Sequence, residues 1–154
     1  MGQQQLLLVI LVTIIVGIAT VVAINIFGTA SEQANRDAVR QDMLAAAAQA
    51  QAVYARPTMM GGAGNNFNNL TAAEITSRLN IPGQIGDPTE DEGNEVTNDN
   101  GTYTISIAGA SDLRIVGAPV SNPDNPLGLN VERTDGVWDI EWDDVTGTAP
   151  ADPE

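Results

Sequence analysis

The residues best placed to do chemistry are three carboxylates that alternate along one predicted strand, Asp139, Glu141 and Asp143. Alternate residues of a strand share one face, so these acids would stand side by side. Paired carboxylates are the catalytic groups of glycosidases. Neither an aromatic subsite nor another catalytic partner accompanies them. A solvent-facing strand surface is therefore favoured, and the chain is not predicted to be an enzyme.

The residue types that are missing exclude further chemistry. The chain has no His and no Cys, so disulfides, Cys or His metal ligands and His-dependent acid-base catalysis are excluded. Six Arg stand against 20 Asp and Glu, for a formal net charge of −14. Such a chain cannot neutralise a phosphate backbone, so nucleic acid is not expected as a primary ligand. No cofactor and no metal site are predicted.

Clustered acids between Asp87 and Asp99 could in principle bind Ca²⁺ through their oxygens. The spacing does not fit an EF-hand, because Gly93 is out of register with Asp87 and Asp91. A solvated acidic surface is the favoured interpretation. Two glycosylation sequons, at Asn69 and Asn100, are weak matches in a chain with 13 Asn.

The element that dominates the chain is an apolar run near the N-terminus. No charged residue occurs between Gln3 and Ser31, and the 19 residues Leu6–Ile24 are aliphatic except for Thr13, Gly17 and Thr20. A membrane-spanning helix needs about 20 such residues. A buried helix of a soluble protein would carry one polar face, and a secretory signal would be shorter and preceded by basic residues. Membrane residence is therefore favoured over both.

The helix is predicted to continue beyond the apolar run. Residues 29–56 contain neither Pro nor Gly and are rich in Ala and Gln, which favour helices. Apolar residues recur there every three or four positions, at Val39, Met43, Ala46, Ala50 and Val53. Pro57 ends the pattern, because a proline disfavours helical geometry in the residue before it. The sequence predicts one helix from Gln3 to Ala55, apolar first and amphipathic afterwards.

The remaining residues, 57–154, form what we call the head, and they carry the entire charge imbalance. A loop is predicted over residues 58–69, and Thr71 with Glu74 predicts a capping box for a short helix over 72–79. Alternation predicts strands at 103–107 and 113–116. Asp135-Gly136 between residues 129–133 and 137–142 predicts a β-hairpin. A loose tail is expected from Thr146.

These elements predict an α+β fold, a long N-terminal helix packed by a small antiparallel sheet of three or four strands. One face of the sheet is apolar, and the amphipathic half of the helix is the only long stripe that can cover it. A head of about 98 residues would otherwise lack a core. The residues predicted to form this helix-sheet contact are Val39, Met43, Val53, Tyr54, Trp138, Ile140 and Trp142.

This organisation resembles type IV pilin-like proteins, and the resemblance covers the whole chain in outline. At motif level it is confined to the N-terminus, Gly2-Gln3-Gln4-Gln5 followed by the apolar run. In that family a prepilin peptidase cleaves after a glycine at this place, which implies processing between Gly2 and Gln3. The family usually begins with Phe and carries Glu at the fifth mature position. Here these positions are Gln3 and Leu7.

The resemblance implies a structural subunit of an extracellular type IV pilus-like filament. The protein would wait in the inner membrane and then be extruded by the pilus assembly machinery into a helical homopolymer on the cell surface. Residues 1–2 would be a leader remnant, 3–28 the transmembrane and filament-core helix, 29–56 its amphipathic continuation and 57–154 the acidic head. The residues expected to pack in the filament core are Leu6, Leu7, Leu8, Ile10, Leu11, Ile14, Ile15, Gly17, Ile18, Val21, Val22, Ile24 and Phe27.

Two other functions fit the same pattern. A pseudopilin of a secretion system has this architecture and makes short or transient fibres. A single-pass membrane anchor carrying a binding domain would use Leu6–Phe27 only to hold the head at a membrane. A mature chain that starts at Gln3 would favour the pilin family, and a retained Met1 would favour a plain anchor or a filament built without processing.

Overall fold

A computed structural model describes residues 2–87 and 93–143. Within them the chain divides into two compact units between Ala34 and Asn35. One helix, α1, runs from Gly2 to Ala55. The predicted bounds, Gln3–Ala55, are therefore confirmed to within one residue, and the helix passes Gly17 and Gly28 without a break.

The second unit contains a second helix and one sheet. The helix α2 spans Ala72–Arg78. The six strands are β1 (Gln84–Ile85), β2 (Glu95–Thr97), β3 (Gly101–Ile107), β4 (Asp112–Pro119), β5 (Leu127–Thr134) and β6 (Val137–Asp143). They pair antiparallel in the order of the sequence. The predicted α+β class is confirmed, but the predicted count of three or four strands is too low.

The segment between the two helices corrects the predicted loop over 58–69. It contains two short 3₁₀ turns, Thr58–Met60 and Phe67–Asn69, and it buries Ala63 and Phe67 completely. Its backbone also closes the end of α1. The amides of Ala63 and Asn65 donate to the carbonyls of Val53 and Tyr54, at 2.9 and 2.8 Å. The last carbonyls of a helix lack partners within it, so this segment supplies what α1 needs to end inside the fold.

Two local predictions are confirmed in detail. Thr71 and Glu74 form the reciprocal capping box at the start of α2. The turn between β5 and β6 places Asp135 and Gly136 at φ of 54° and 85°. A two-residue type I′ turn requires positive φ at both positions, and Asp-Gly meets that requirement.

The core lies between the second half of α1 and the sheet. Val39, Met43, Val53 and Tyr54 are buried, as predicted. Gly117 of β4 allows close approach, since a β-carbon there would lie 2.7 Å from both Val39 Cγ1 and Met43 Sδ. Further along α1, the Tyr54 ring meets the Trp138 ring of β6 with centroids 5.1 Å apart. The helix therefore crosses the sheet diagonally, from β4 towards β6.

This crossing corrects the predicted contact for two residues. Ile140 and Trp142 lie on the same sheet face as Trp138, yet they stay 37% and 44% exposed. Trp138 lies where α1 reaches β6 and is partly buried against the core. Ile140 and Trp142 lie further along the strand and belong neither to the buried core nor to the side chains packed against it. The prediction that they cover the helix is wrong. The predicted tail from Thr146 lies outside the described residues.

Candidate functional site

The most unusual surface in the described chain is the apolar part of α1. Every large apolar side chain from Leu6 to Phe27 is between 46% and 78% exposed, sixteen in all. These side chains lie on all sides of the helix, so no face of the segment is polar. All twelve large residues predicted for a filament core are among them. The segment is long and apolar enough to cross or anchor in a membrane.

The two threonine side chains of this segment bond to carbonyls of the same helix. The Thr13 hydroxyl donates to the carbonyl of Ile10 and the Thr20 hydroxyl to that of Val16, both at 2.8 Å. An unpaired donor costs free energy in an apolar medium. The two threonines therefore add no such cost, whether lipid or other apolar helices surround the segment.

Small residues interrupt the apolar surface at Gly17, Ala19 and Ala23. A β-carbon at Gly17 would meet nothing within 4 Å, so the chain itself does not require glycine there. Small residues let two helices approach closely in lipid. The predicted processing residues are at the other end of the segment, where Gly2 is the first residue of α1 and Gln3 is exposed.

A half-buried polar cluster around Asp42 joins α1 to the sheet. One carboxylate oxygen of Asp42 accepts hydrogen bonds from the Tyr103 hydroxyl at 2.6 Å and from the side-chain amides of Asn100 at 3.0 Å and Asn98 at 3.2 Å. Asn98 also donates to the carbonyl of Pro82. Burying a carboxylate is costly unless it is hydrogen-bonded, and here three donors converge on it.

The electrostatics of the cluster favour the ionised carboxylate. Burial raises the pKa of Asp42, but the hydrogen bonds from Tyr103, Asn100 and Asn98 outweigh burial and hold this pKa below its ordinary value. Burial also raises the pKa of the Tyr103 hydroxyl, and the hydrogen bond to Asp42 and its charge raise it further. Tyr103 therefore remains a donor at any physiological pH.

Asn35 forms a second link, two helical turns before Asp42. Its side-chain amide donates to the carbonyl of Asn100 at 2.8 Å, and its oxygen accepts from the hydroxyl and the backbone amide of Ser121. Residues seven apart lie on one face of a helix. Asn35 and Asp42 thus hold the turn that links β2 and β3 and the end of β4 against the same side of α1.

An aromatic cluster lies at the end of α1. The Tyr54 ring contacts Phe67 at 5.0 Å and Trp138 at 5.1 Å between centroids. The Arg133 guanidinium lies over both neighbouring rings, 5.5 Å from the centroid of Tyr54 and 5.9 Å from that of Trp138. No sequence pattern indicated these roles of Asp42 and Asn35, because their partners are about 60 residues away in the chain.

The other sequence patterns, which are the acidic residues of β6, the acidic stretch 87–99 and the two sequons, show no arrangement typical of a binding or catalytic site in the described residues. Asp139, Glu141 and Asp143 are exposed, and Asp143 pairs with Arg114 at 3.0 Å. In the described ranges, no three acidic side chains are grouped so that they could hold a metal ion. Part of the acidic stretch 87–99 lies outside those ranges. Both sequon amides are already used as donors, Asn69 to the carbonyl of Ala63 and Asn100 to Asp42.

Comparison with known proteins adds no relative. No protein-family model matches the chain, and no curated protein or solved structure shows significant similarity to it.

Proposed function

We propose that this protein is the structural subunit of a type IV pilus-like filament and polymerises through the apolar part of α1. The observation that carries the proposal is the contrast along one helix. Residues 6–27 expose every large side chain, whereas the half from Asn35 is anchored to its own sheet by a buried core and two polar links.

The free energy of the apolar segment supports this proposal. Full burial of a large apolar side chain is worth about 1.5–3 kcal/mol, and sixteen such side chains of residues 6–27 are exposed. In water this segment would have to be covered. Lipid can cover it before assembly, and identical helices of neighbouring copies can cover it afterwards. Contacts that repeat between different surfaces of successive copies are open-ended, which is the symmetry of a fibre.

The registration of neighbouring copies would rest on shape. The segment has no charged side chain, and Leu7 stands where the resembled family places a carboxylate. Gly17, Ala19 and Ala23 would therefore set which turns of two helices come close together, and the heads would add contacts outside the apolar core.

A disulfide scan tests this function in the intact protein, because the chain contains no cysteine. We would fix one cysteine at Leu8 and place a second at Ile15, Ile18 or Val22. Residues seven apart on one helix are about 10 Å apart, beyond the roughly 6.8 Å that a disulfide allows between α-carbons. Any bond between the two positions therefore joins different copies. A filament predicts ladders of trimers and larger species after oxidation of sheared surface material.

The same variants in detergent, dispersed as monomers, are the control and should give no ladder. A single-pass anchor would give at most dimers from chance encounters in the membrane, and that result, together with the absence of fibres in electron micrographs, would refute the proposal. A pseudopilin would give the same ladders. Its low abundance at the cell surface would distinguish a pseudopilin from the subunit of a surface filament.

A further inference from the structure

An apolar strip on the inner face of β6 has no cover in the described chain. Trp138, Ile140 and Trp142 alternate along this strand, and both tryptophans of the protein are among them. Ile140 is 37% exposed and Trp142 44% exposed, although their cross-strand neighbours Val131 and Leu129 are fully buried. The diagonal course of α1 accounts for this exposure, since the helix covers β6 only near Trp138.

A cation stands at the end of this strip. Arg133 is paired directly opposite Trp138, and its guanidinium is held against the Tyr54 and Trp138 rings. The Nε atom of Arg133 is buried without a hydrogen-bond partner. Among the described residues of the head, Arg78 pairs with Glu74 and Arg114 with Asp143, but Arg133 forms no ion pair.

We propose that Arg133, Ile140 and Trp142 form a docking surface for a carboxylate-bearing segment of a second copy of this chain. This inference rests on the proposed function and specifies the contact between heads that would accompany packing of the apolar helices.

Charge complementarity identifies the partner. Each copy carries 20 carboxylates against six guanidinium groups, so two heads repel one another except where an arginine meets an acid. A guanidinium without an acid of its own is therefore the point at which a second copy gains most. The rings already restrict the Arg133 side chain, so little conformational freedom is lost when a carboxylate binds.

The composition of the strip supports an interface. Residues that dominate binding energies are most often Trp, Tyr and Arg, clustered beside apolar contacts that exclude water. Here the Tyr54 and Trp138 rings contact Arg133, and Trp142 lies further along the same strand face, in a chain with only six aromatic residues. The outer face of the same strand carries Asp139 and Glu141 and has no aromatic side chain.

Thiol labelling of the full chain tests the surface. We would compare Ile140→Cys with Val137→Cys, a control on the opposite face of the same strand that is 69% exposed. In detergent monomers a maleimide should label both positions readily. In filaments the rate at position 140 should fall by about tenfold, the equivalent of about 1.4 kcal/mol of protection, while that at 137 should not change.

A second measurement gives the contribution of Trp142 and Arg133 to the free energy of assembly. Trp142→Ala and Arg133→Gln should each raise the concentration of free subunit that coexists with filaments by about tenfold, whereas Val137→Ala should not. Thermal unfolding of the detergent-solubilised monomers shows whether a variant weakens assembly or only destabilises the fold. Trp142→Ala is the decisive variant, because Trp142 is not part of the buried core.

The failures are distinguishable. Normal filaments with unchanged labelling at position 140 would overturn the docking surface and leave the proposed function intact. Labelling at 140 that is already slow in monomers, and becomes fast when the chain is truncated after Asp143, would show that residues 144–154 cover the strip, and would also overturn it. A wild-type chain that forms no fibres would overturn the proposed function itself.

Discussion

The hydroxyl of Tyr103 lies 2.6 Å from the carboxylate of Asp42 and donates a hydrogen bond to it across 61 residues of sequence. This contact joins α1 to β3 at the level of the buried Met43. Together with Asn98 and Asn100, Tyr103 makes the half-buried Asp42 carboxylate a specific link between helix and sheet. This link fixes the second half of α1 to β3 and to the turn before it.

Removing the charge at this link should destabilise the second unit. In Asp42→Asn a neutral amide oxygen, a weaker acceptor than a carboxylate oxygen, would receive the hydrogen bonds from Tyr103, Asn100 and Asn98. We expect the free energy of unfolding to fall by about 1 kcal/mol or more, because a hydrogen bond to a charged group contributes about 1.5–3 kcal/mol and one between neutral groups about 0.5–1.5 kcal/mol. Thermal denaturation in detergent would measure it. Asp37→Asn, at an exposed ion pair with Arg40, is the control and should change stability by less than about 1 kcal/mol.

The pH dependence of this effect has a defined sign. Because the pKa of Asp42 is lowered by folding, its contribution is complete above the pKa of the unfolded chain and is lost as the pH falls through the folded value. The stability gap between wild type and Asp42→Asn should therefore be constant above about pH 5 and should narrow below about pH 4. Glu74, whose pKa is also lowered, is present in both chains and cancels. A gap that widens on acidification would contradict this assignment.

The close approach of α1 to β4 should not tolerate a side chain at Gly117. In Gly117→Ala the new methyl group would press against Cγ1 of Val39 and Sδ of Met43, both at 2.7 Å before relaxation. Overpacking of a core typically costs about 1–3 kcal/mol, so the melting temperature should fall. Gly28→Ala, where nothing lies within 4 Å, is the matched control. Equal melting temperatures for wild type and Gly117→Ala would show that the helix does not pack here.

A row of like charges crosses the outer face of the sheet. Asp112 lies directly opposite Glu132, and Glu132 opposite Asp139. Like charges in such cross-strand pairs are destabilising. Glu132→Gln should therefore raise stability by about 0.2–1 kcal/mol at low salt, and the gain should vanish near 1 M salt, where the Debye length is about 3 Å. Chemical denaturation with urea at both ionic strengths would measure it. A gain that persists unchanged in high salt would exclude a Coulombic origin.

Local patterns predicted what local chemistry determines. The hairpin at Asp135-Gly136 and the capping box at Thr71 were predictable because their geometry depends on a few adjacent residues. The bounds of α1 followed from Pro57 and the composition before it. Strands β1 and β2 escaped prediction because they have two and three residues, too few to show an alternation.

Tertiary geometry explains the rest. Alternation placed Trp138, Ile140 and Trp142 on one face correctly, but only the angle between α1 and the sheet decides which of them is covered. The donors to Asp42 lie 56 to 61 residues away, so no spacing in the sequence points to them. The sequence offered one sign of the Asp42 site, which is that this charged residue directly precedes Met43 of the apolar stripe.

The central claim is that the apolar segments of different copies cover one another, and electron cryomicroscopy of native, sheared surface material tests it most directly. The account predicts fibres in which residues 6–27 of each copy pack against the same residues of its neighbours, with the acidic heads outside. Dispersed copies whose apolar segments are each surrounded only by lipid or detergent would contradict it.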